Sequence, residues 1–296
     1  MEPTFSVVIP CFNEARYLSA TLESLRNQTY PGGYEILVVD NACTDDTVGI
    51  ATGYGVPVVT EPSPGVCSAR QAGTLASRGR IVVSTDADTT HSPDWLARID
   101  RRFGQDERLV AVVGPCRYRD GPLWGRLYAR LLFASVHLVY RLTGHVWYVT
   151  ATNIAFKREY WPGYDLNLTQ GGDELDLLRR LRRRGRVAFD HANPTFTSGR
   201  RFSRGLVYNV LVTLLVHYLA AYWLNRLFHR RVLGSAPAYR DSGHALVRLA
   251  RSVGLAAVFA GVLLLPPFTP ARIYLMHGSH AVLAYMMTMM SGLGRS

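Results

Sequence analysis

An α/β fold on a mostly parallel sheet is predicted by three observations. Short β-branched runs occupy residues 5–9, 36–39, 56–59 and 81–84. Helical patterns fill the intervals at 15–27, 45–52 and 66–77. The strands are apolar throughout, as expected of parallel strands covered by helices on both faces.

The first strand runs into Pro10-Cys11-Phe12-Asn13-Glu14, the second into Asp40-Asn41 and the fourth into Asp86-Ala87-Asp88. In such sheets the residues just beyond the carboxyl ends of the strands build the ligand site, so several acidic groups converge on one edge. A helix is expected over 93–103, opened by a cap at Ser92 with Pro93 in the first position. Residues 109–113 read as a strand, 123–142 as a long helix rich in Leu, Tyr and Arg, and 153–156 as a short strand. Residues 173–184 start acidic and end basic, which suits the helix dipole.

The chain has 296 residues, 48% hydrophobic and 19% charged, which excludes a disordered chain and a disulfide scaffold. Its net charge of +11 is unevenly spread. Residues 1–120 hold 11 basic and 15 acidic side chains, whereas residues 177–296 hold 17 basic and 2 acidic. A nucleic-acid binder would spread its charge more evenly, and no nucleic-acid motif is present, so no specific nucleic-acid partner is expected. The four cysteines lack paired spacing, so neither a disulfide nor a cysteine metal site is expected. The first residues lack the basic and apolar regions of a signal peptide, which implies a catalytic portion facing the cytoplasm.

Beyond residue 200 the composition changes. Residues 207–224 carry no formal charge, 253–268 are apolar apart from glycine, and 273–290 hold only His277, Ser279, His280 and Thr288 as polar groups. These lengths straddle the roughly 20 residues of a spanning helix. The expected division is a catalytic domain over 1–204 and membrane-associated helices over 205–296. The second comprises an interfacial helix at about 206–228 and a transmembrane hairpin at about 246–290, turning at Pro266-Pro267. That arrangement keeps the loop with Arg226, Arg230, Arg231 and Arg240 on the cytoplasmic side. Anionic lipids are then expected partners.

Two carboxylates one residue apart at a strand end can share a hard divalent cation with phosphate oxygens. Asp86-Ala87-Asp88 has that form, and a polar turn has it too. Further segments sharpen it: Asn13-Glu14 after the first strand, Asp40-Asn41 with Thr44-Asp45-Asp46-Thr47 after the second, Ala69-Arg70-Gln71 with Gly65 and Gly73, Gly79-Arg80-Ile81, and Gly172-Asp173-Glu174-Leu175-Asp176-Leu177. Together these resemble family 2 glycosyltransferases of the GT-A fold, over about residues 4–200.

The resemblance implies a nucleotide-diphospho-sugar donor held by Pro10, Phe12, Asn13, Glu14, Asp40, Asn41, Arg70, Asp86, Ala87 and Asp88. Asp86 and Asp88 would carry the divalent cation, Mg²⁺ or Mn²⁺. The late acidic pair would supply the base that takes a proton from the acceptor hydroxyl, with inversion at the sugar. The family pair reads Glu-Asp and this one is reversed; by register from Asp176-Leu177, Glu174 takes the base position, with Asp173 as the alternative. Gln71 stands where the family often has Asn, and Ala42-Cys43 where it often has Gly-Ser. Thr152–Arg158 is similar to the acceptor-side strand without its glycine, and Trp147 and Trp161 are candidates for an acceptor platform or for core. Ser198-Gly199-Arg200-Arg201-Phe202 resembles a segment of membrane-associated members, with Arg200 and Arg201 toward the donor diphosphate or a lipid-linked phosphate. The Gln-x-x-Arg-Trp signature of processive synthases is absent from the sequence, which implies one sugar per encounter, delivered to a lipid-linked or glycan acceptor. The alternative is a membrane protein that binds a nucleotide sugar without catalysis.

Overall fold

The computed structural model describes residues 2–168 and 173–209, with 213, 215, 224 and 225. The chain divides into units Met1–Arg240 and Asp241–Ser296, and all the described residues belong to the first. Its elements in chain order are β1 (Phe5–Cys11), α1 (Ala15–Arg26), β2 (Tyr34–Asp40), α2 (Thr47–Gly53), β3 (Val58–Thr60), α3 (Val66–Ala76) and β4 (Ile81–Ser84). There follow β5 (Thr89–Thr90), α4 (Trp95–Gln105), β6 (Leu109–Val113), β7 (Cys116–Tyr118), α5 (Leu123–Thr143) and β8 (Ile154–Lys157). The last are α6 (Asp173–Arg182), β9 (Arg186–Phe189) and β10 (Thr195–Thr197).

Seven strands form one sheet in the order β3-β2-β1-β4-β8-β6-β9, parallel except for β8. The chain winds outward from β1 through β2 to β3, then returns to the other side of β1 with β4. The order therefore reverses between β1 and β4, the place where such sheets open a crevice for ligands. Strand residues alternate between two cores. Val8, Val39, Val82 and Phe156 pack with α3, α5 and α6, whereas Val7, Ile9, Val38 and Val83 pack with α1, α2 and α4. Both faces are covered, which is why the strands read as unbroken apolar runs.

Four elements escaped the sequence pattern: β5, β7, β9 and β10. Three of them form a second, small sheet in the order β5-β10-β7, packed beside the end of β4. The helix expected over 93–103 begins two residues later, at Trp95, and Ser92 is not its cap. The Gln28 side chain caps it instead: Oε1 accepts the Leu96 N–H at 3.0 Å while Nε2 donates to the Ser92 carbonyl at 2.8 Å. Of the expected interfacial helix only a first turn at Leu206–Tyr208 and residues 209, 213, 215, 224 and 225 are described, and the whole hairpin lies outside the described residues. Among the described residues no helix is long and apolar enough to cross a membrane.

α3 lies close against the sheet because Gly73 has no side chain. A Cβ there would meet Val8 Cγ1 at 2.3 Å and Val39 Cγ2 at 2.7 Å. Gly73→Ala is expected to cost about 1–3 kcal/mol through overpacking, read by denaturant unfolding. Because Arg70 sits one turn earlier on α3, this close approach also sets the height of its guanidinium over the strand ends.

Candidate active site

The carboxyl ends of β1 and β2 open into two braced loops. Asn13, at φ +55°, donates from Nδ2 to Thr44 Oγ1 at 2.9 Å and accepts the Thr44 N–H at 2.6 Å. Asp40 Oδ1 accepts the Cys43 N–H at 2.8 Å. Ala42 is held at φ +64°, a conformation glycine adopts freely and other residues at a cost of roughly 1–2 kcal/mol. Phe12 stands exposed at the rim. Asn41 is buried, and its amide staples the neighbouring loop by donating to the Glu61 and Ser63 carbonyls and accepting the Gly65 N–H, each at 2.8 Å. It therefore shapes the crevice from beneath. Pro10 is paired with Val39 inside the sheet, and Ala87 is buried with its carbonyl accepting from Thr21. Both supply backbone to the site.

Three carboxylates gather at the switch point, on Glu14, Asp86 and Asp88, and two guanidiniums bind them together. Arg200 donates to Glu14 Oε1 at 2.6 Å, lies 3.2 Å from Asp88 Oδ2, and covers the Tyr17 ring at 4.6 Å. Thr197 donates to Asp88 Oδ1 at 3.0 Å, and Arg119 donates to the Asp88 carbonyl at 3.1 Å. The small sheet thus holds Asp88 through Thr197. Burial pushes the Asp88 carboxyl above the usual range, and the Asp86 charge adds to this against Arg200. Burial raises Glu14 too, partly offset by its hydrogen bond to Arg200. Glu14 Oε2 is buried with no hydrogen-bond partner among the described residues.

Arg70, 2% exposed, is the second link. It donates to Asp86 Oδ1 at 2.9 Å and, from its other terminal nitrogen, to Asp173 at the start of α6. That same nitrogen is 4.0 Å from Glu174 Oε1. One guanidinium therefore spans the acids of the β4 end and those of α6, more than eighty residues apart in sequence. The segment before α6 is tied in as well: the Cys67 thiol donates to the Leu168 carbonyl at 3.1 Å, and Gln71 accepts the Tyr164 N–H at 2.9 Å. Burial, followed by the charge and hydrogen bond of Asp173, raises the Glu174 carboxyl well above its ordinary value. Arg70 favours the charged form of Glu174 but does not reverse that direction.

The two acids are thus unequal. Asp173 is buried in its pairing with Arg70, while burial and the Asp173 charge raise the Glu174 carboxyl. The register reading had Glu174 as the base and Asp173 as the alternative, and both stand at the start of α6 within reach of Arg70.

Position 200 is fixed from a distance. Phe202 packs edge-on against Tyr118 and Trp124, with centroids 4.7 and 4.9 Å away, over Gly125, where a Cβ would meet its ring at 2.7 Å. Asp120 accepts from Ser198 and from the Gly199 N–H. Arg200 is in this way aimed at Glu14 and Asp88, while Arg201 is exposed but close enough to lower the Asp88 carboxyl. Trp161 packs against the core, and Trp147 is 45% exposed. The link from Arg200 to Glu14 had no signal in the sequence beyond the charges themselves.

A family model described as Glycosyl transferase family 2 matches residues 6–161. Over 100 residues the chain is 43% identical to an uncharacterized glycosyltransferase of Mycobacterium tuberculosis strain H37Rv, covering 32% of this chain and 44% of that protein. A glycosyltransferase of Haloferax volcanii is 35% identical over 103 residues, covering 32% and 34% of the two chains. The chain thus spans less than half the length of these curated relatives. Among solved structures, glucosyl-3-phosphoglycerate synthase of M. tuberculosis in complex with Mn²⁺, uridine-diphosphate-glucose and phosphoglyceric acid superposes with a TM-score of 0.54 at 21% identity, covering 75% and 79% of the chains.

Proposed function

The chain belongs to glycosyl transferase family 2, and on that premise we propose that it transfers one sugar, with inversion, from a nucleotide-diphospho-sugar to a hydroxyl or phosphate oxygen of an acceptor. The single observation that carries this reading is the span of Arg70: it brings the donor-side carboxylates and the acids of α6 into one site.

In this reading the nucleoside lies against Pro10, Phe12, Asn13 and Asp40, with Glu14 behind it. The residues fit a divalent cation. Asp86 and Asp88 offer oxygen donors only, and Glu14 Oε2 is a buried oxygen with no hydrogen-bond partner among the described residues. Among the described residues no three His, Cys, Asp or Glu side chains form a metal cage, and Asp86 and Asp88 would hold the cation together with donor phosphate oxygens, as is usual for Mg²⁺. When bound, the cation neutralises charge on the departing nucleoside diphosphate. Arg200 and Arg201 stand beside the same charge. Glu174 takes the proton of an attacking hydroxyl, whose oxygen bonds to the anomeric carbon as the bond to the diphosphate breaks.

The acceptor is proposed to be lipid-linked, a polyprenyl phosphate or a membrane-bound glycan precursor, met at the cytoplasmic membrane face. The three apolar runs after residue 206 and the +15 balance of residues 177–296 support that choice.

Melting curves of the full chain with UDP-glucose, with and without Mn²⁺, test the donor side. Ligand at one hundred times its dissociation constant adds about 2.7 kcal/mol of stability, which raises the melting temperature by several degrees. Asp88→Asn is expected to remove the Mn²⁺-dependent part of that shift. If no member of a nucleotide-sugar panel raises the melting temperature with either Mg²⁺ or Mn²⁺, the donor assignment is wrong. A shift with no transfer to any lipid-phosphate acceptor would favour binding without catalysis.

A further inference from the structure

α5 is apolar on the wrong side as well as the right one. Its inner face, Gly125, Ala129, Phe133 and Val136, is buried in the core. At 100° per residue, Leu123, Leu127, Leu131, Leu138 and Leu142 form a row pointing directly away from that face. All five are exposed, Leu123 by 71% and Leu142 by 75%. The row is about 30 Å long at 1.5 Å per residue. A helix with an apolar stripe on two opposite faces is normally covered on both.

Arg126, Arg130 and Arg141 run along one border of the row. Arg126 and Arg130 also line a cleft of about 150 Å³ with Arg117, Tyr118 and Phe196. Among the described residues none of these three cleft arginines pairs with a carboxylate. Between Asp120 and Glu159 the sequence has no acidic residue at all. Three guanidiniums converging on a small cleft beside exposed leucines match a phosphate lying at the edge of hydrocarbon. A second copy of α5 would set arginine against arginine. Residues 210–296 bring one acidic side chain, Asp241, among many basic ones.

We propose that the outer face of α5 lies in the surface of an anionic bilayer, with the leucine row in the acyl boundary and a lipid phosphate in the Arg117–Arg126–Arg130 cleft. The site rests on residues of the catalytic unit alone, so it stands or falls separately from membrane contact by residues 205–296. The cleft backs onto the strand pair that holds Asp88: Phe196 and Arg117 are register partners, and Thr197 is the next residue. Docking there would set the crevice at a fixed height over the lipid surface.

The test uses the full chain with Cys43→Ser, which removes the one native thiol that is not buried, and a nitroxide on Leu131→Cys or Leu138→Cys. It is placed with vesicles of phosphatidylcholine alone or with about one-third phosphatidylglycerol. In the anionic vesicles the label should collide more with oxygen and less with a water-soluble nickel chelate. Arg126→Gln with Arg130→Gln should weaken binding to anionic vesicles about tenfold, with little change on phosphatidylcholine. The proposal is overturned if the label stays open to nickel in vesicles that the protein occupies. It is equally overturned if the label is already shielded without lipid, the sign of a covering chain segment, or if dipolar broadening between labels shows a second copy on the face.

Discussion

Glu174→Gln is expected to lower sugar transfer by about 10²–10⁴-fold while leaving the donor-induced melting shift in place, because it removes a proton acceptor and little of the donor site. The same substitution should make the fold more stable at pH 7. Burial and the neighbouring Asp173 charge raise the Glu174 carboxyl in the folded state. Such a group binds more protons folded than unfolded, so wild-type stability falls as pH rises from its unfolded value, near 4.3, through its raised folded value. The amide carries no charge and escapes that loss. The gain over wild type should therefore be present at pH 7 in denaturant unfolding and vanish near pH 4. For transfer the direction is opposite: kcat/KM should fall as pH drops through the raised value, an acid limb above the usual carboxylate range. If Asp173→Asn abolishes transfer and Glu174→Gln does not, the base is Asp173 and the register argument fails.

How far the sequence reached depended on the range of the interactions involved. Strands β1, β2, β4 and β6 were legible because each is a β-branched run buried on both sides. β5 and β10, Thr89–Thr90 and Thr195–Thr197, have two or three residues, mostly threonine, and no periodicity to detect. Their role emerges only when Thr197 reaches Asp88, 109 residues away. The same holds for the site. The carboxylates stand where the strand-end rule puts them, since that rule needs only local order. Asn41 was read as a ligand contact because it follows Asp40, yet its amide is satisfied by Glu61, Ser63 and Gly65. Arg200 was read as turned toward the donor diphosphate or a lipid-linked phosphate. What the sequence did not show is that its guanidinium also pairs with Glu14 and Asp88, a link set by the packing of Phe202 on α5 that no spacing encodes.

Arg70→Met should destabilise the fold by about 3–5 kcal/mol at pH 7, the usual consequence of breaking a buried ion cluster from one side. Methionine fills much of the space and removes the cost of burying a guanidinium. The Asp173 carboxylate stays buried, however, with Glu174 next to it and the Arg70 charge gone. Arg70→Lys should recover only part of the loss, since a single ammonium cannot reach Asp86 and Asp173 from two nitrogens as the planar fork does. Asp173→Asn should be far less harmful in the Arg70→Met background than alone, giving a coupling energy above about 1 kcal/mol in a double-mutant cycle. Lower pH should also narrow the gap to wild type, because protonating the stranded carboxyls replaces the missing cation. The double variant separates stability from chemistry: with the charges removed the fold should recover, yet transfer should stay low because nothing then ties the β4 acids to α6. A loss below about 1 kcal/mol for Arg70→Met would mean that water reaches these acids. Arg70 would then not be the part that joins the two halves of the site.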